Sequence, residues 1–139
     1  MMNFVALIKN ILAEQGKTTQ ELFKNNIVPE NTFYKYTQRH PSLPTLLKIC
    51  NYLQISIDYL LEFNVDNDYV FYNFNSDIFY NNLASLIENK NISKRQFCED
   101  LNYSKDNLIR WKNGTTPSIQ SLIDISQYFK CSIDDLLLK

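Results

Sequence analysis

The sequence predicts an all-α protein built from two related five-helix units in tandem. The 139 residues include only two glycines and four prolines, which is too few for a turn-rich β fold. An internal repeat is also present, because "PSLPTLLKICNYLQISIDYLL" (41–61) and "PSIQSLIDISQYFKCSIDDLL" (117–137) are identical at ten of 21 positions. Upstream of both segments, apolar residues recur at helical spacing and correspond in pairs, such as Tyr36 with Trp111.

The five predicted helices are clearest in the second unit. Phe79, Leu83, Leu86 and Ile87 recur at i, i+4, i+7 and i+8, which defines one buried helix face with Ser76 as its predicted N-cap. Serine is a favoured N-cap because its hydroxyl accepts a bond from a free backbone N–H. On this basis the next four helices are predicted to begin at Ser93, Ser104, Pro117-Ser118 and Ser132.

The third predicted helix of this unit lies between two distinctive turns. Before it, "NYS" predicts a tight turn in which Asn102 adopts a left-handed backbone. After it, Asn113-Gly114 predicts a helix end, since glycine accepts positive φ without strain. Leu108 and Trp111 share one face, which predicts that they pack into the core.

The first unit has the same pattern with several departures. Phe23 occupies the position of Cys98 and is expected to force the second and third helices apart. Ile27 stands at the turn position but is a poor residue for positive φ, so we expect Asn26 to take that conformation and shift the turn by one residue. Gln38-Arg39 replaces Asn-Gly, which predicts a weaker end to the third helix.

Between the units, the sequence predicts a linker over residues 64–76, so the predicted domains are 1–63 and 77–139. The beginning of the linker is polar, whereas residues 69–74 are rich in aromatic side chains. Three arrangements are open for this segment: packing on one unit, extending the first helix of the second unit, or pairing as a strand across a dimer. Its exposed-looking aromatic residues also make 69–74 a candidate surface for a protein partner.

Composition excludes several classes of protein. The formal net charge is −1, so any binding of nucleic acid must come from a local basic patch. The cysteines Cys50, Cys98 and Cys131 match neither a metal-binding spacing nor a disulfide framework, and Cys98 is interpreted as a packing residue. With one histidine and no glycine-rich phosphate loop, no enzyme, metal site or cofactor is predicted. No apolar run reaches the ~18–20 residues of a membrane helix.

Two short helices joined by a tight turn, with a polar third helix after them, resemble a helix-turn-helix. The motifs "ISKRQFCEDLNYSKDNLIRWKNGTTPS" and "ISQYFKCSIDDLL" are similar to those of the lambda-repressor/Cro (Xre-type) family of DNA-binding domains. The resemblance covers nearly all of 77–138 and, less regularly, 3–62. It implies two five-helix lambda-repressor-like domains joined by an aromatic-containing linker, and a bacterial or phage origin.

The resemblance also implies which residues contact DNA. In such a fold the third helix enters the major groove with its first residues toward the base edges, and the start of the second helix meets a phosphate. The family often has Glu where Lys112 stands, and the lysine adds positive charge near the duplex. In the second unit the candidate DNA-binding residues are Lys94, Ser104, Lys105, Asp106, Asn107, Arg110, Asn113, Thr115 and Thr116.

The first unit is a less regular candidate and is interpreted either as a second DNA reader or as a dimerisation domain. Its polar stretch "PENTFYKYTQRHPS" occupies the place of the third helix and its exit loop. The candidate DNA-binding residues here are Thr19, Asn31, Thr32, Tyr34, Lys35, Gln38, Arg39 and His40.

The function implied is a sequence-specific transcriptional regulator, a repressor, that binds double-stranded operator DNA in the cytoplasm at the nucleoid. One chain could read two half-sites ~34–36 Å apart, because a 13-residue tether spans ~43–47 Å when fully extended. Alternatively, the chain forms a homodimer. A different class of function remains open: an interaction module, such as an antirepressor or antitoxin, that keeps the fold without binding DNA.

Overall fold

The computed structural model describes residues 2–138. Met1 and Lys139, which are the outer ends of the predicted domains 1–63 and 77–139, lie outside the described residues. Over this range the regular structure is helical and no β-strand occurs, so the all-α prediction is confirmed. The chain divides into two compact units between Asn73 and Phe74.

In its described part, residues 2–73, the first unit contains five α-helices and a 3₁₀ turn. The turn, Lys35–Thr37, directly continues the third helix. In chain order the helices are α1 (Phe4–Glu14), α2 (Thr19–Lys24), α3 (Glu30–Tyr34), α4 (Leu43–Leu53) and α5 (Ile57–Leu60).

The second unit contains five α-helices in the same order. They are α6 (Ser76–Asn89), α7 (Lys94–Leu101), α8 (Lys105–Lys112), α9 (Ile119–Phe129) and α10 (Asp134–Leu137). The predicted N-cap of α6 was wrong by one residue. Asn75 is the cap, because its side-chain oxygen accepts bonds from the N–H groups of Asp77 and Ile78, and Ser76 is the first helical residue.

The repeated segments fold in the same way in both units. Ser42 and Ser118 each accept a bond from the N–H three residues later and so begin α4 and α9. Both helices end in a left-handed residue, Gln54 at φ 54° and Lys130 at φ 56°. Shared local rules of helix capping therefore produce the repeat that the sequence predicts.

The turn between the second and third helices differs by one residue, as predicted. In the second unit Asn102 adopts φ 60°. In the first unit Asn26, not Ile27, adopts φ 57°. Asparagine suits this role since its short polar side chain tolerates the left-handed region. Helix α2 has six residues and α7 has eight, because Asn25 lies between the end of α2 and the left-handed Asn26, whereas the left-handed Asn102 directly follows α7.

Residues 64–73 pack on the first unit, which is one of the three arrangements open from the sequence. Tyr72 is only 4% exposed, and its hydroxyl oxygen accepts a bond of 2.8 Å from the N–H of Ile57 at the start of α5. Asn67 extends the contact, because its side chain accepts from the N–H of Ser56 and donates to the carbonyl of Gln54.

Asn51 holds the same segment from α4. Its amide donates to the Tyr72 carbonyl at 2.8 Å and its oxygen accepts from the Tyr72 N–H at 2.8 Å, which is the pairing that a neighbouring strand would provide. The Tyr69 hydroxyl donates to the same oxygen at 3.0 Å. Between the buried Tyr72 and the helix cap Asn75 there are two residues. A free 13-residue tether is therefore absent from this conformation.

Candidate nucleic-acid interface

Helix α8 is fixed to the second unit by two apolar side chains. Leu108 and Trp111 are buried, so the prediction that they belong to the core is confirmed. The Trp111 ring packs edge-to-face against Phe79 on α6 and Tyr103 in the turn, each at a centroid distance of 5.6 Å. Aromatic pairs of this geometry add about 0.5–1.5 kcal/mol to the burial itself. The opposite face of α8 is thereby directed to solvent in a defined orientation.

Three polar side chains along one edge of α8 form a connected group. The Arg110 guanidinium donates from Nη2 to Asn107 Oδ1 at 3.0 Å, and the Ser104 hydroxyl donates to the same oxygen at 3.1 Å. Because this oxygen accepts both bonds, Asn107 is positioned to orient Arg110. Arg110 itself is exposed, as is Asp106 beside it.

A groove of ≈ 320 Å³ lies along another side of α8, next to α7, and four of its lining residues are basic. The apolar residues of its lining are Cys98, Leu108 and Ile109. The Lys94 ammonium donates to the Tyr80 hydroxyl at 3.2 Å, which fixes it at the start of α7. The basic residues that line the groove are Lys94, Arg95, Lys105 and Lys112.

Cys98 is buried in the lining of this groove. Burial raises the pKa of its thiol, although the nearby Lys105 ammonium acts in the opposite direction. A raised pKa keeps the sulfur protonated and weakly nucleophilic at neutral pH. The environment of Cys98 therefore supports the interpretation of this residue as a packing group.

The exit loop after α8 turns sharply at Gly114. Its φ is 104°, a value that L side chains rarely adopt, and the next residue, Thr115, donates its N–H back to the Arg110 carbonyl at 2.9 Å. Asn113, Thr115 and Thr116 are all exposed in this loop. Their side chains are thus available at the C-terminal end of α8.

The corresponding region of the first unit has a different backbone. Helix α3 has five residues and then tightens into the 3₁₀ turn Lys35–Thr37. Gln38 comes next at φ −119°, so the left-handed exit of the second unit is missing here. Tyr36 is buried in the place of Trp111, which preserves the core pattern.

The side chains around α3 are exposed but less organised than those of α8. Tyr34 is 43% exposed and lies edge-on to Phe33 at 5.2 Å, with the Lys9 ammonium 5.6 Å from its ring centroid. Asn31 accepts a bond from the adjacent Thr32 N–H. The exposed candidates in this region are Asn31, Tyr34, Lys35, Gln38 and Arg39.

Three further candidates in the first unit are less accessible, and of these Thr32 is half-buried within α3. His40 is half-buried against Phe4, with ring centroids 5.1 Å apart, and burial lowers the pKa of its imidazole. A lowered pKa favours the neutral ring at pH 7 and removes the charge that would attract a phosphate. Thr19, the first residue of α2, is also half-buried. Thr19 corresponds to Lys94, so the first unit lacks a cation at that position.

The structure thus brings the candidates of the second unit onto neighbouring surfaces of α7, α8 and the exit loop. Sequence reasoning did not include Arg95, Ile109 and Lys112 among the candidates. The signal was present, since Lys105, Ile109 and Lys112 are spaced at i, i+4 and i+7 and share a helix face. What the spacing does not reveal is that this face borders α7 to form one basic groove.

Comparison with known proteins agrees with this geometry. The sequence model of the Cro/C1-type helix-turn-helix (HTH) DNA-binding domain matches residues 8–66 and again residues 82–138. The chain belongs to the Cro/C1-type HTH family. The resemblance inferred from the sequence is therefore confirmed, as is the tandem arrangement of two such domains. No curated protein and no solved structure matched the chain.

Membership of the Cro/C1-type family places the chain among DNA-binding regulators in general. Within residues 2–138 no group of three or more histidine, cysteine or acidic side chains is arranged to hold a metal ion. In the same range no helix combines the length and apolar character needed to span a bilayer.

Proposed function

We propose that this Cro/C1-type protein is a sequence-specific transcriptional repressor that reads its operator mainly with α8 in the major groove. The observation that carries the proposal is the Arg110–Asn107–Ser104 group, which holds the exposed Arg110 on a helix fixed by Trp111. An arginine that is held before binding loses less side-chain entropy when it forms two bonds to a guanine edge. Occupancy of the operator would exclude polymerase from the same DNA.

The basic groove supplies the non-specific part of this binding. Lys94 and Lys105 are candidates for phosphate contacts along this groove, together with Arg95 and Lys112. Each phosphate that is neutralised releases counterions, and this steepens the dependence of log K on log salt concentration by about 0.9. Such local charge accounts for DNA binding by a chain whose net charge is −1.

In this proposal the first unit has the weaker role at the duplex. Its α3 region carries Lys35 and Arg39 but no counterpart of the Arg110–Asn107–Ser104 group among the described contacts. The contacts of Tyr72 and Asn51 also keep residues 64–73 from serving as a long tether. We therefore favour a homodimer that places the second unit of each protomer on one half-site.

Selection of DNA from a random library with the intact chain tests the proposal. The expected result is a consensus with two related halves. Arg110→Ala should then weaken binding to that consensus and relax the base preference at one position, while Lys35→Ala should have a much smaller effect. If both variants remain folded and bind as the parent protein does, α8 is not the reading helix.

A second candidate function is a protein-interaction module, and one observation favours it. Val70 and Phe71 are 55% and 67% exposed, although they adjoin the firmly held Tyr72. Adjacent exposed apolar side chains are typical of contact surfaces. Absence of measurable DNA binding even at low salt, where electrostatic attraction is strongest, would support this function and exclude the first.

A further inference from the structure

One aliphatic side chain lies exposed on the outer face of α8. Ile109 is 55% exposed, whereas the other apolar side chains of this helix, Leu108 and Trp111, are buried. It borders the basic groove, between Lys105 one turn before it and Lys112 one turn after it. A single exposed isoleucine is common on protein surfaces, so its position must carry the argument.

The same position is occupied by an exposed apolar ring in the first unit. Tyr36 and Trp111 correspond in the repeat, and two residues before them stand Tyr34 and Ile109. Tyr34 is 43% exposed and also lies on the outer side of its third helix. The two units differ in the turn before the third helix, in the cap after it and in its charge. Both nevertheless expose apolar surface at this position of the helix. Neither side chain is buried, although the Tyr34 ring also packs against Phe33 and Phe23 of its own unit.

The surroundings of Ile109 limit what can cover it. The groove beside it is lined by Lys94, Arg95, Lys105 and Lys112, so the complementary surface must be strongly anionic and yet offer an apolar group. The major groove of DNA meets both conditions. Its walls are phosphate backbones, and its one apolar group is the C5 methyl of thymine.

We propose that Ile109 determines specificity by packing against the C5 methyl group of a thymine in the operator. This inference rests on the proposed function, because it requires α8 to lie in the major groove. It assigns to Ile109 a contact that a hydrogen-bonding side chain cannot make. In the same helix Arg110 would recognise a hydrogen-bonding edge at a different base pair.

Replacement of thymine by deoxyuridine tests the contact, because it removes the methyl group and leaves the base-pairing groups unchanged. Once the preferred operator is selected, each thymine is replaced singly and affinity is measured with the intact chain. At one position in each half-site the parent protein should bind about fourfold more weakly, which is the factor expected for one buried methyl group.

Ile109→Ala should bind the thymine and deoxyuridine operators equally at that position. Alanine favours the helix and the side chain is exposed, so the variant is expected to remain folded, as circular dichroism would verify. Lys112→Ala is the matched control. It should weaken binding to both operators alike and lower the salt dependence, while keeping the fourfold preference for thymine.

Specific binding without any preference for thymine over deoxyuridine would overturn the inference and leave the proposed function intact. Ile109→Ala that keeps the full preference would likewise overturn it. Absence of specific DNA binding by the intact chain would overturn the proposed function and this inference together. Ile109 would then be a candidate contact for a protein partner.

Discussion

The third helices of the two units share a core and differ at their ends. Tyr36 and Trp111 fill the same place against the first helix of each unit. Helix α8 continues regularly to Lys112 and exits through Gly114 at φ 104°, whereas α3 tightens after Tyr34 into a 3₁₀ turn. The comparison teaches that buried residues specify which helix forms, while caps and turn residues decide how its outer face is presented.

The two units also differ in the chain segment after the fifth helix. In the first unit residues 64–73 return over α4 and α5 through Asn51 and Tyr72. In the second unit the exposed Gln127 stands at the position of Asn51. The first unit is therefore the one with additional buried contacts, and the second is the one with the organised basic surface.

The largest expected effect concerns the shared core. Trp111→Ala should lower the free energy of unfolding of the second unit by about 3–5 kcal/mol, the usual result for a large buried aromatic side chain. Hydrogen exchange measured on peptides along the chain would show where protection is lost. Residues 77–138 should lose it while the first unit keeps it. Tyr36→Ala is the matched variant and should show the reverse. If either variant lost protection from exchange equally in both units, the two units would unfold together.

The next effect is confined to the first unit. Tyr72→Phe removes the hydroxyl that accepts the Ile57 N–H, and a buried donor left without a partner costs about 1–3 kcal/mol. Urea unfolding measures this change, and exchange should rise around residues 56–73. Tyr59→Phe is the control, because the hydroxyl of Tyr59 bonds an exposed carboxylate on Glu14. A Tyr72→Phe variant as stable as the parent would show that water replaces the contact.

A comparable effect is expected on DNA binding. Arg110→Ala should weaken specific binding by about 1–3 kcal/mol, the discrimination of one good bidentate base contact. Asn107→Ala should give a smaller loss, because Arg110 keeps its charge but loses its orienting partner. Fluorescence anisotropy on the selected operator measures both. If Asn107→Ala proves more damaging than Arg110→Ala, the asparagine contacts the base directly.

A smaller change in stability is expected for substitutions in the loops that follow the third helix of each unit. Gly114→Ala places a side chain at φ 104°, where the strain is about 1–2 kcal/mol, although the space around it is open to 3.9 Å. Thermal unfolding should show this loss. Arg39→Ala, at the corresponding position in the first unit, should change stability little. A neutral Gly114→Ala variant would indicate that the loop relaxes to another conformation.

The smallest effect is a pH dependence that arises from one hydrogen bond in the second unit. Tyr128 donates to the Asp100 carboxylate at 2.6 Å, and this bond lowers the pKa of Asp100 and raises that of Tyr128 to about 12. The stability that ionised Asp100 gains from this bond is fully present above the ordinary carboxyl pKa of 3.8. It is lost as the pH falls through the lower pKa of Asp100 in the folded protein. The stability that protonated Tyr128 gains from the same bond is fully present below pH 10, the ordinary pKa of tyrosine. It is lost as the pH rises towards the folded pKa of about 12.

The first unit supplies the matched control for this pair. Asn25 and Tyr52 occupy the corresponding positions, and there the amide donates to the hydroxyl at 3.2 Å. Asp100→Asn should therefore remove the acid-side loss of stability of the second unit, and Asn25→Asp should introduce one in the first. Unfolding measured from pH 5 downward checks both, with hydrogen exchange to assign the unit. If the Asp100→Asn variant lost stability at low pH just as the parent protein does, this bond would be excluded as the cause of that loss.

The sequence by itself determined the all-α class, the tandem repeat, the core positions Leu108 and Trp111, and the shifted turn at Asn26. These features arise from local rules, because capping and helix periodicity act over three or four residues. It missed the cap of α6 by one residue, since Asn75 and Ser76 are both good N-caps and only the backbone geometry distinguishes them.

The tertiary structure alone decided where residues 64–73 lie and how the candidate surface is arranged. Asn51 bonds Tyr72 across 21 residues, and the basic groove joins α6, α7 and α8. Such contacts depend on how helices pack and side chains turn in space, which residue spacing along a chain does not encode.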